Sequence, residues 1–403
     1  MVRAARLSFL GFVLVLVAGA ASGPERVEEF LRRHWRAPLA PQGTPPERFS
    51  PVEASLLPES CGTCHPVQYA DWRTSWHAAA TGPGIAGQLV EMLETEPRSA
   101  LGCLRCHAPL AEQAPLARGD DGGLVANPIF DAALHRQGLP CAGCHVRAHE
   151  RFGPPRRDGT LASRAPRETR PHGGVTRTPA FLSAGFCRGC HQFEADGTAL
   201  NGKPLENTYR EWEQSRFARA GVQCQDCHMP DRRHRWRGIH DVEMVRSGVA
   251  IDVKAPSGRI RAGETANVAL TLRNVKVGHA FPTYVTPKVV LRAELIDSAG
   301  AVVEGSRAER VIAREVALDL SREIADTRLL PGQAASLSYT PRVPGPGVSA
   351  RLTVVVYPDA FYVGFYEVLL EQGAGRGAPQ IRQALDAARR SSFEVFRREI
   401  PLS

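Results

Sequence analysis

The sequence lacks any apolar run long enough to cross a membrane: the longest, Leu7 to Ala21, is short and lies at the extreme N-terminus. That excludes an integral membrane domain. It lacks isolated cysteines, since all ten belong to close pairs, and none occurs after Cys227. It has only four methionines, so thioether ligands are scarce. It does not lack apolar residues: 43% of 403 positions are hydrophobic, enough for more than one core, and this excludes a disordered chain. Thirty-one prolines and thirty-seven glycines imply many loops.

The N-terminal run reads as a secretory signal, with Arg3 and Arg6 ahead of Leu7 to Val17 and small residues at Ala18-Gly19-Ala20. Residues 1–20 are then removed, and the mature chain begins near Ala21 in the periplasm or outside the cell with no transmembrane segment. No cysteine lies near that site to carry a lipid anchor. An uncleaved N-terminal anchor is the alternative.

The cysteines fall into five C-x-x-C pairs, each followed at once by histidine: Cys61/Cys64/His65, Cys103/Cys106/His107, Cys141/Cys144/His145, Cys187/Cys190/His191 and Cys224/Cys227/His228. With 13 histidines in 403 positions, five such coincidences have a chance of about 10⁻⁷ or less, and C-x-x-C-H is the pattern of haem c attachment. Two thiols three residues apart reach the two vinyl groups of one porphyrin, and the next side chain supplies the proximal imidazole. Zinc ribbons would use the pairs two at a time without a fixed histidine. Disulfides within the pairs would close only tiny loops and add little stability. Five covalently attached haems c are therefore expected.

The haems change the meaning of the charge. The formal +8 falls to +6 once Arg3 and Arg6 leave, and ten propionates with five ferric porphyrins bring the holoprotein to about +1. The basic balance is thus no argument for nucleic acid, and none is expected as a partner. The run Arg232-Arg233-His234-Arg235-Trp236-Arg237 follows a haem motif, and suits propionate pairing or a solvated face.

Residues 21–50 read as a linker or arm with a short helix near Val27 to Trp35. The motifs then recur at steps of 42, 38, 46 and 37 residues, defining a mainly helix-and-loop multihaem cytochrome c domain over 51–247. Two internal likenesses occur within it. Y-x-x-W-x-x-S appears at Tyr69, Trp72, Ser75 and at Tyr209, Trp212, Ser215, and G-L-P-C at Gly138 is matched by G-V-Q-C at Gly221. They point weakly to duplicated haem-binding units. Beyond residue 248 the apolar period becomes two, as in Val268, Leu270, Leu272 and Leu352, Val354, Val356. Breaks at Pro256-Ser257-Gly258, Ser298-Ala299-Gly300, Pro331-Gly332 and Pro344 to Gly347 divide 248–372 into about seven strands, which suits an all-β immunoglobulin-like sandwich. A C-terminal helix at 377–392 and an extended tail complete 373–403. The fold class is multidomain.

Eight histidines remain for the sixth coordination positions. If the helix after the first motif is continuous, His77 lies about 18 Å along its axis from His65, whereas the two axial nitrogens on one iron are about 4 Å apart. His77 must then serve another haem or none. His279 sits in Val277-Gly278-His279-Ala280-Phe281-Pro282, a break in the strand pattern that can push a side chain toward a neighbouring domain. His172 and His240 occupy loops long enough to fold back, with His234 the rival of His240, and His149 follows the third motif closely. His77, His172, His240, His279 and His149 are the expected distal ligands. His34, His135 and the methionines Met92, Met229 and Met244 are weaker choices.

These residues resemble the multihaem c-type cytochromes related to the tetrahaem electron acceptor of hydroxylamine oxidoreductase. The similar stretches are C-G-T-C-H-P-V-Q-Y-A-D-W-R-T-S-W-H-A at 61–78, E-N-T-Y-R-E-W-E-Q-S at 206–215, C-Q-D-C-H-M-P at 224–230 and G-H-A-F-P-T at 278–283, within a likeness spanning most of 58–370. The resemblance implies electron transfer, and distal ligation by the histidines matching His77 and His279. Five motifs depart from the tetrahaem type, and Phe217 replaces a possible ligand in the second Y-x-x-W-x-x-S copy.

The expected function is an exported pentahaem carrier passing electrons between an unidentified donor protein and a terminal reductase or membrane respiratory complex, with no catalytic protein side chain. The alternative is reduction or oxidation of a small nitrogen or sulfur compound at one five-coordinate haem, with Tyr209, Arg232 or His234 conceivable as the acid. A third reading makes the sandwich a docking or filament-forming module.

Overall fold

The computed structural model describes residues 26–162, 166 and 169–403, so the expected signal segment lies outside the described residues. The N-terminal arm forms helix α1 (Val27–His34), whose Phe30 packs with Phe152 and Phe181. From there to residue 248 the chain is short helices and a few strands of two to four residues, joined by long loops. The elements that matter below are α2 (Pro66–Trp72), α3 (Pro83–Thr95), α4 (Pro97–His107), α5 (Thr208–Glu213) and α6 (Val242–Gly248). Proline opens α2, α3 and α4 at the first helical turn, where its missing N–H costs nothing. Side-chain cores in this half are small and separate.

The C-terminal half has eight strands: β1 (Val249–Lys254), β2 (Val268–Asn274), β3 (Lys288–Ile296), β4 (Ala308–Val316), β5 (Glu323–Asp326), β6 (Ala334–Tyr339), β7 (Ser349–Tyr357) and β8 (Phe393–Pro401). They form two antiparallel sheets, ordered β5-β4-β3-β7-β8 and β6-β2-β1. Alternate residues such as Val268, Leu270 and Leu272 of the smaller sheet and Val289, Leu291, Leu352 and Val354 of the larger share one buried core. The four predicted breaks all fall between strands.

Two expectations need correction. The region after β7 is helical, α7 (Ala360–Glu371), although Phe361, Tyr362, Val363, Phe365 and Tyr366 favour strands. Tertiary packing overrides that propensity: Tyr366 is buried against α8 (Ala378–Arg390), with Ile381 and Leu385. The extended tail is strand β8, hydrogen-bonded along β7, so the final segment belongs to the larger sheet and the α7–α8 hairpin is an insertion between two of its strands. The hairpin reaches back to the haem-motif half. A Cβ on Gly87 of α3 would lie 2.8 Å from the Ile381 side chain, so glycine there permits the close approach of α8.

Candidate haem-binding site

The last four motifs each lie on a helical turn: Cys103 to His107 ends α4, and the third, fourth and fifth occupy helices Cys141–His145, Gly185–His191 and Cys224–His228. The first straddles the end of helix Pro58–Gly62. A helical turn brings side chains three apart onto one face, so both thiols of a pair point the same way. All ten cysteines and all five motif histidines line one continuous cavity of about 2470 Å³. His77, His172, His234, His240 and His279 line it too; His34, His135 and His149 do not.

Within this cavity three motif histidines face a second histidine. Ring centroids are 6.3 Å apart for His191 and His77, 6.2 Å for His145 and His234, and 6.3 Å for His228 and His279. Two imidazoles on one iron hold their nitrogens about 4 Å apart, hence their centroids about 6 Å. His65 lies within electrostatic reach of His172. Among the cavity-lining histidines the ring nitrogens suit ligation, and His135, outside the cavity, has the same kind of Nδ1 bond to a backbone carbonyl. Nδ1 of His107, His145, His228, His172, His234 and His279 bonds to a backbone carbonyl at 2.6–3.0 Å, which orients the ring and leaves Nε2 available for a metal. Burial holds His77 near a pKa of about 3 and His145 and His279 near about 4, so the rings are neutral, the form that ligates. Nδ1 of His77 is buried without a protein partner.

His149 and His240 are placed differently from expectation. Nε2 of His149 bonds to the Gly43 carbonyl at 2.9 Å, outside the cavity. His240 spends Nε2 on the Asp359 carboxylate at 3.0 and 3.1 Å, and no motif histidine faces it. The rival His234 takes the facing position. The helix after the first motif also stops at Trp72, so His77 is on a separate turn.

The residues that sequence reasoning missed are three carboxylates, each catching a backbone N–H at or beside one of these histidines. Glu53 accepts from His172 N at 2.6 Å, Asp71 from His234 N at 3.0 Å, and Glu211 from Ala280 N, next to His279, at 3.2 Å. Asp71 is the most elaborate. It is nearly buried on α2, bonded by Arg233 through two nitrogens at 2.6 Å and by Arg235 at 3.2 Å, which together hold its carboxyl well below the usual range. The basic run is therefore largely spent on carboxylates, Arg237 pairing with Asp241. Asp71→Asn loses the charge-assisted fork, and one low-spin ferric EPR signal is expected to broaden or shift while haem content stays constant. An unchanged spectrum would show that the clamp does not orient His234.

The two Y-x-x-W-x-x-S copies play one role. Trp72 Nε1 donates to the Leu139 carbonyl at 2.8 Å and Trp212 Nε1 to the Val222 carbonyl at 2.9 Å. Each acceptor is two residues before a motif cysteine, inside the G-L-P-C and G-V-Q-C lead-ins. The sheets close over the second copy: a Cβ on Gly278 would meet Trp212 at 3.3 Å, and Asn274 fixes the loop by donating to the His279 carbonyl at 3.0 Å.

Sulfurs of different motifs lie close together, Cys61 beside Cys141, Cys106 beside Cys190 and Cys187 beside Cys224. Cys144 is a near neighbour of Cys187 and Cys190. The motifs thus adjoin in the order first, third, fourth, fifth, with the second beside the fourth.

The family described as "Cytochrome c554 and c-prime" matches residues 60–128, which include the first two motifs. A crystal structure of a penta-haem cytochrome c552 from Thermochromatium tepidum is similar over 87% of this chain and 100% of its own, with a TM-score of 0.61 and 19% identity, a likeness of fold. A β-glucosidase from Listeria innocua covers 28% of this chain and 15% of its own at 17% identity, and its TM-score of 0.16 carries no structural argument. No curated protein matches the chain. The motifs, the family match over the first two of them and this likeness of fold support covalently bound c-type haem, roughly five groups. No described helix is long and apolar enough to cross a membrane.

Proposed function

We propose that the protein is an exported pentahaem electron carrier, each C-x-x-C-H motif anchoring one haem c and supplying its proximal histidine. Four haems are bis-histidine, with His172, His234, His77 and His279 opposite His65, His145, His191 and His228. The observation that carries this reading is the set of three ring pairs at 6.2–6.3 Å in one cavity lined by every cysteine. Electrons pass along the first, third, fourth and fifth haems, with the second branching from the fourth, as the neighbouring thiols support. The donor and acceptor are redox proteins or a membrane respiratory complex. The C-terminal half is an immunoglobulin-like sandwich that contributes one axial ligand, and residues 1–20 are a cleaved signal.

A second reading is favoured by one residue. Among the described residues no histidine ring faces His107 at ligand spacing and, unlike His65 with His172, it has no second histidine within electrostatic reach, which supports an open iron there and chemistry on a small nitrogen or sulfur compound. Mass spectrometry for haem content, with low-temperature EPR of the oxidised holoprotein, tests both. Five haems per chain, four low-spin centres and one high-spin centre are expected. Fewer haems, or mainly high-spin iron, would overturn the carrier; five low-spin centres would overturn only the second reading.

A further inference from the structure

The cations of the cavity are gathered at one end of the row of motifs. Arg151, Arg156, Arg157, Arg170, Arg177 and Arg232 line it, and Arg237 and Lys276 are the only other described arginine or lysine residues that do. Arg151 lies within electrostatic reach of Cys61 and His172, at the first motif. Arg170 stands two residues before His172, and Arg232 two before His234, which faces His145. Arg177 is within electrostatic reach of Arg156 and Arg232, and Arg157 joins the two loops by donating to the Asp231 carbonyl at 3.1 Å. Arg157 is exposed while lining the cavity, so the cluster stands at its opening.

Like charges so placed repel one another unless counter-charges meet them. The chain itself supplies few. Arg233 and Arg235 are spent on Asp71 and Arg237 on Asp241, whereas none of the described ion pairs uses Arg157, Arg170, Arg177 or Arg232. Glu53, at the first motif, is occupied by Ser50 and the His172 N–H. A first and a third haem bring two propionates each, fewer than the six arginines. The opposite sign prevails around the second motif. Among the described residues, 147–177 carry six arginines against two carboxylates, while 83–131 carry three arginines against seven carboxylates. The asymmetry runs along the row of motifs, so it is not the average of a basic chain. Pro66 and Val67, exposed beside the first motif and outside the cavity lining, add apolar surface to the basic end.

We infer that this arginine rim is the docking surface for an acidic redox protein, whose surface carboxylates meet Arg157, Arg170, Arg177 and Arg232 and which exchanges electrons with the first haem of the row. The inference rests on the electron-carrier reading and its motif order, and adds the place and the chemistry of one partner. Guanidinium forks match carboxylates in two-pronged hydrogen bonds. Opposite fields speed the encounter, and salt screens them. The rim borders an opening rather than a plane, so a protruding protein surface can enter where a flat bilayer cannot. Each encounter passes one electron: the partner's reduced centre is oxidised as the first haem goes from ferric to ferrous, or the reverse, and no bond forms or breaks.

The test is the stopped-flow rate of haem reduction in oxidised holoprotein. The donors are reduced plant-type ferredoxin, which is acidic, the same ferredoxin with its carboxylates amidated, and photoreduced lumiflavin, which is small and uncharged. The variants are Arg157→Glu with Arg232→Glu, the charge-keeping pair Arg157→Lys with Arg232→Lys, and Arg398→Glu on strand β8 as a control. At low ionic strength wild type is expected to react at least tenfold faster with native than with amidated ferredoxin, an advantage lost above about 0.3 M salt. The glutamate pair should lose that advantage at low salt too. The lysine pair should keep most of it and Arg398→Glu all of it, with lumiflavin rate, haem content and EPR spectra as in wild type. If neither lumiflavin nor dithionite reduces the wild-type haems, the carrier reading itself fails. If they are reduced but the glutamate pair keeps the wild-type ferredoxin rate, or Arg398→Glu lowers it equally, only the docking assignment fails. An altered EPR spectrum or lumiflavin rate in the glutamate pair would give the arginines to the haem propionates and overturn the proposal. So would cosedimentation of wild type, but not of the glutamate pair, with phosphatidylglycerol vesicles when amidation of ferredoxin changes nothing, because the rim then meets a membrane.

Discussion

Arg314→Ala is expected to cost about 3–5 kcal/mol of stability, because it strands three buried carbonyl acceptors at about 1–3 kcal/mol each, part of which water entering the vacated space recovers. Arg314 lies on β4 with a side chain that is 0% exposed, yet it serves the other half of the molecule. Its guanidinium donates to Glu323 at 2.9 Å and to the carbonyls of Leu200, Lys203 and Pro204, three residues of the haem-motif half, at 3.1, 2.9 and 2.6 Å. Truncation leaves three acceptors buried without a donor. Lys203 also pairs with Glu323, so that carboxylate keeps one partner and the unmet carbonyls dominate the loss. The loss is read as a lowered guanidinium midpoint of the β-sheet circular dichroism. Arg314→Lys keeps the charge without the planar fork and should fall between. A midpoint within error of wild type for the alanine variant would rule out a structural role for the anchor.

The same contact carries a pH dependence. Burial pushes the Glu323 and Asp326 carboxyls up, but Lys203, with Arg314 on the first and Arg328 on the second, outweighs it and holds both below the usual carboxylate range. Folded values below the unfolded values contribute stability that is complete above the unfolded pKa of about 4 and is lost as pH falls through the folded values. The gap in stability between wild type and Arg314→Ala should therefore narrow below about pH 4.

The other large effect belongs to His279→Ala. If His279 is the partner of His228, the variant converts one ferric haem from low-spin to high-spin with the haem content unchanged, and added imidazole restores it. His279→Met should instead keep that haem low-spin and raise its potential, because thioether ligation favours the ferrous state. A low-spin spectrum identical to wild type in His279→Ala would remove it from the ligand set. The surroundings explain why a residue of the sheet region can act so far from its own core. Asn274 is fully buried and grips the loop through the His279 and Leu329 carbonyls. Glu211 of α5, paired with Arg328 at 2.8 Å with both side chains 6% exposed, catches the next backbone N–H.

The distal histidines show where sequence reasoning stopped. His234 and His240 are six residues apart in one loop, equally able to fold back on grounds of chain length. Asp71, from α2, draws His234 toward His145, while Asp359, from the start of the α7–α8 hairpin, occupies His240. Both carboxylates are remote in sequence, and nothing in the loop itself marks the difference. Asp71 did stand within a recognised stretch, beside Trp72, but an acidic residue on a short helix is more often a solvated one. The helix α7 was missed for a related reason: its aromatic and β-branched residues favour strands locally, and only burial against α8 reverses the preference.

What the sequence by itself determined is whatever chemistry closes within a few residues. Two thiols and an imidazole in a five-residue window are bound by covalent reach, so the expectation of covalent c-type haem was legible, as was the change of apolar period that marks the sheets. What only the tertiary structure decided is which partner meets each of these groups. The facing histidines are 51, 89 and 114 residues apart in the chain, and a spacing of about 6 Å across an iron depends on how every intervening loop is packed and hydrogen-bonded. The order of neighbouring motifs and the close approach of the α7–α8 hairpin to α3 follow from the same packing. No local pattern encodes them, because the free energy that selects them comes from burial and from buried polar pairs between distant segments.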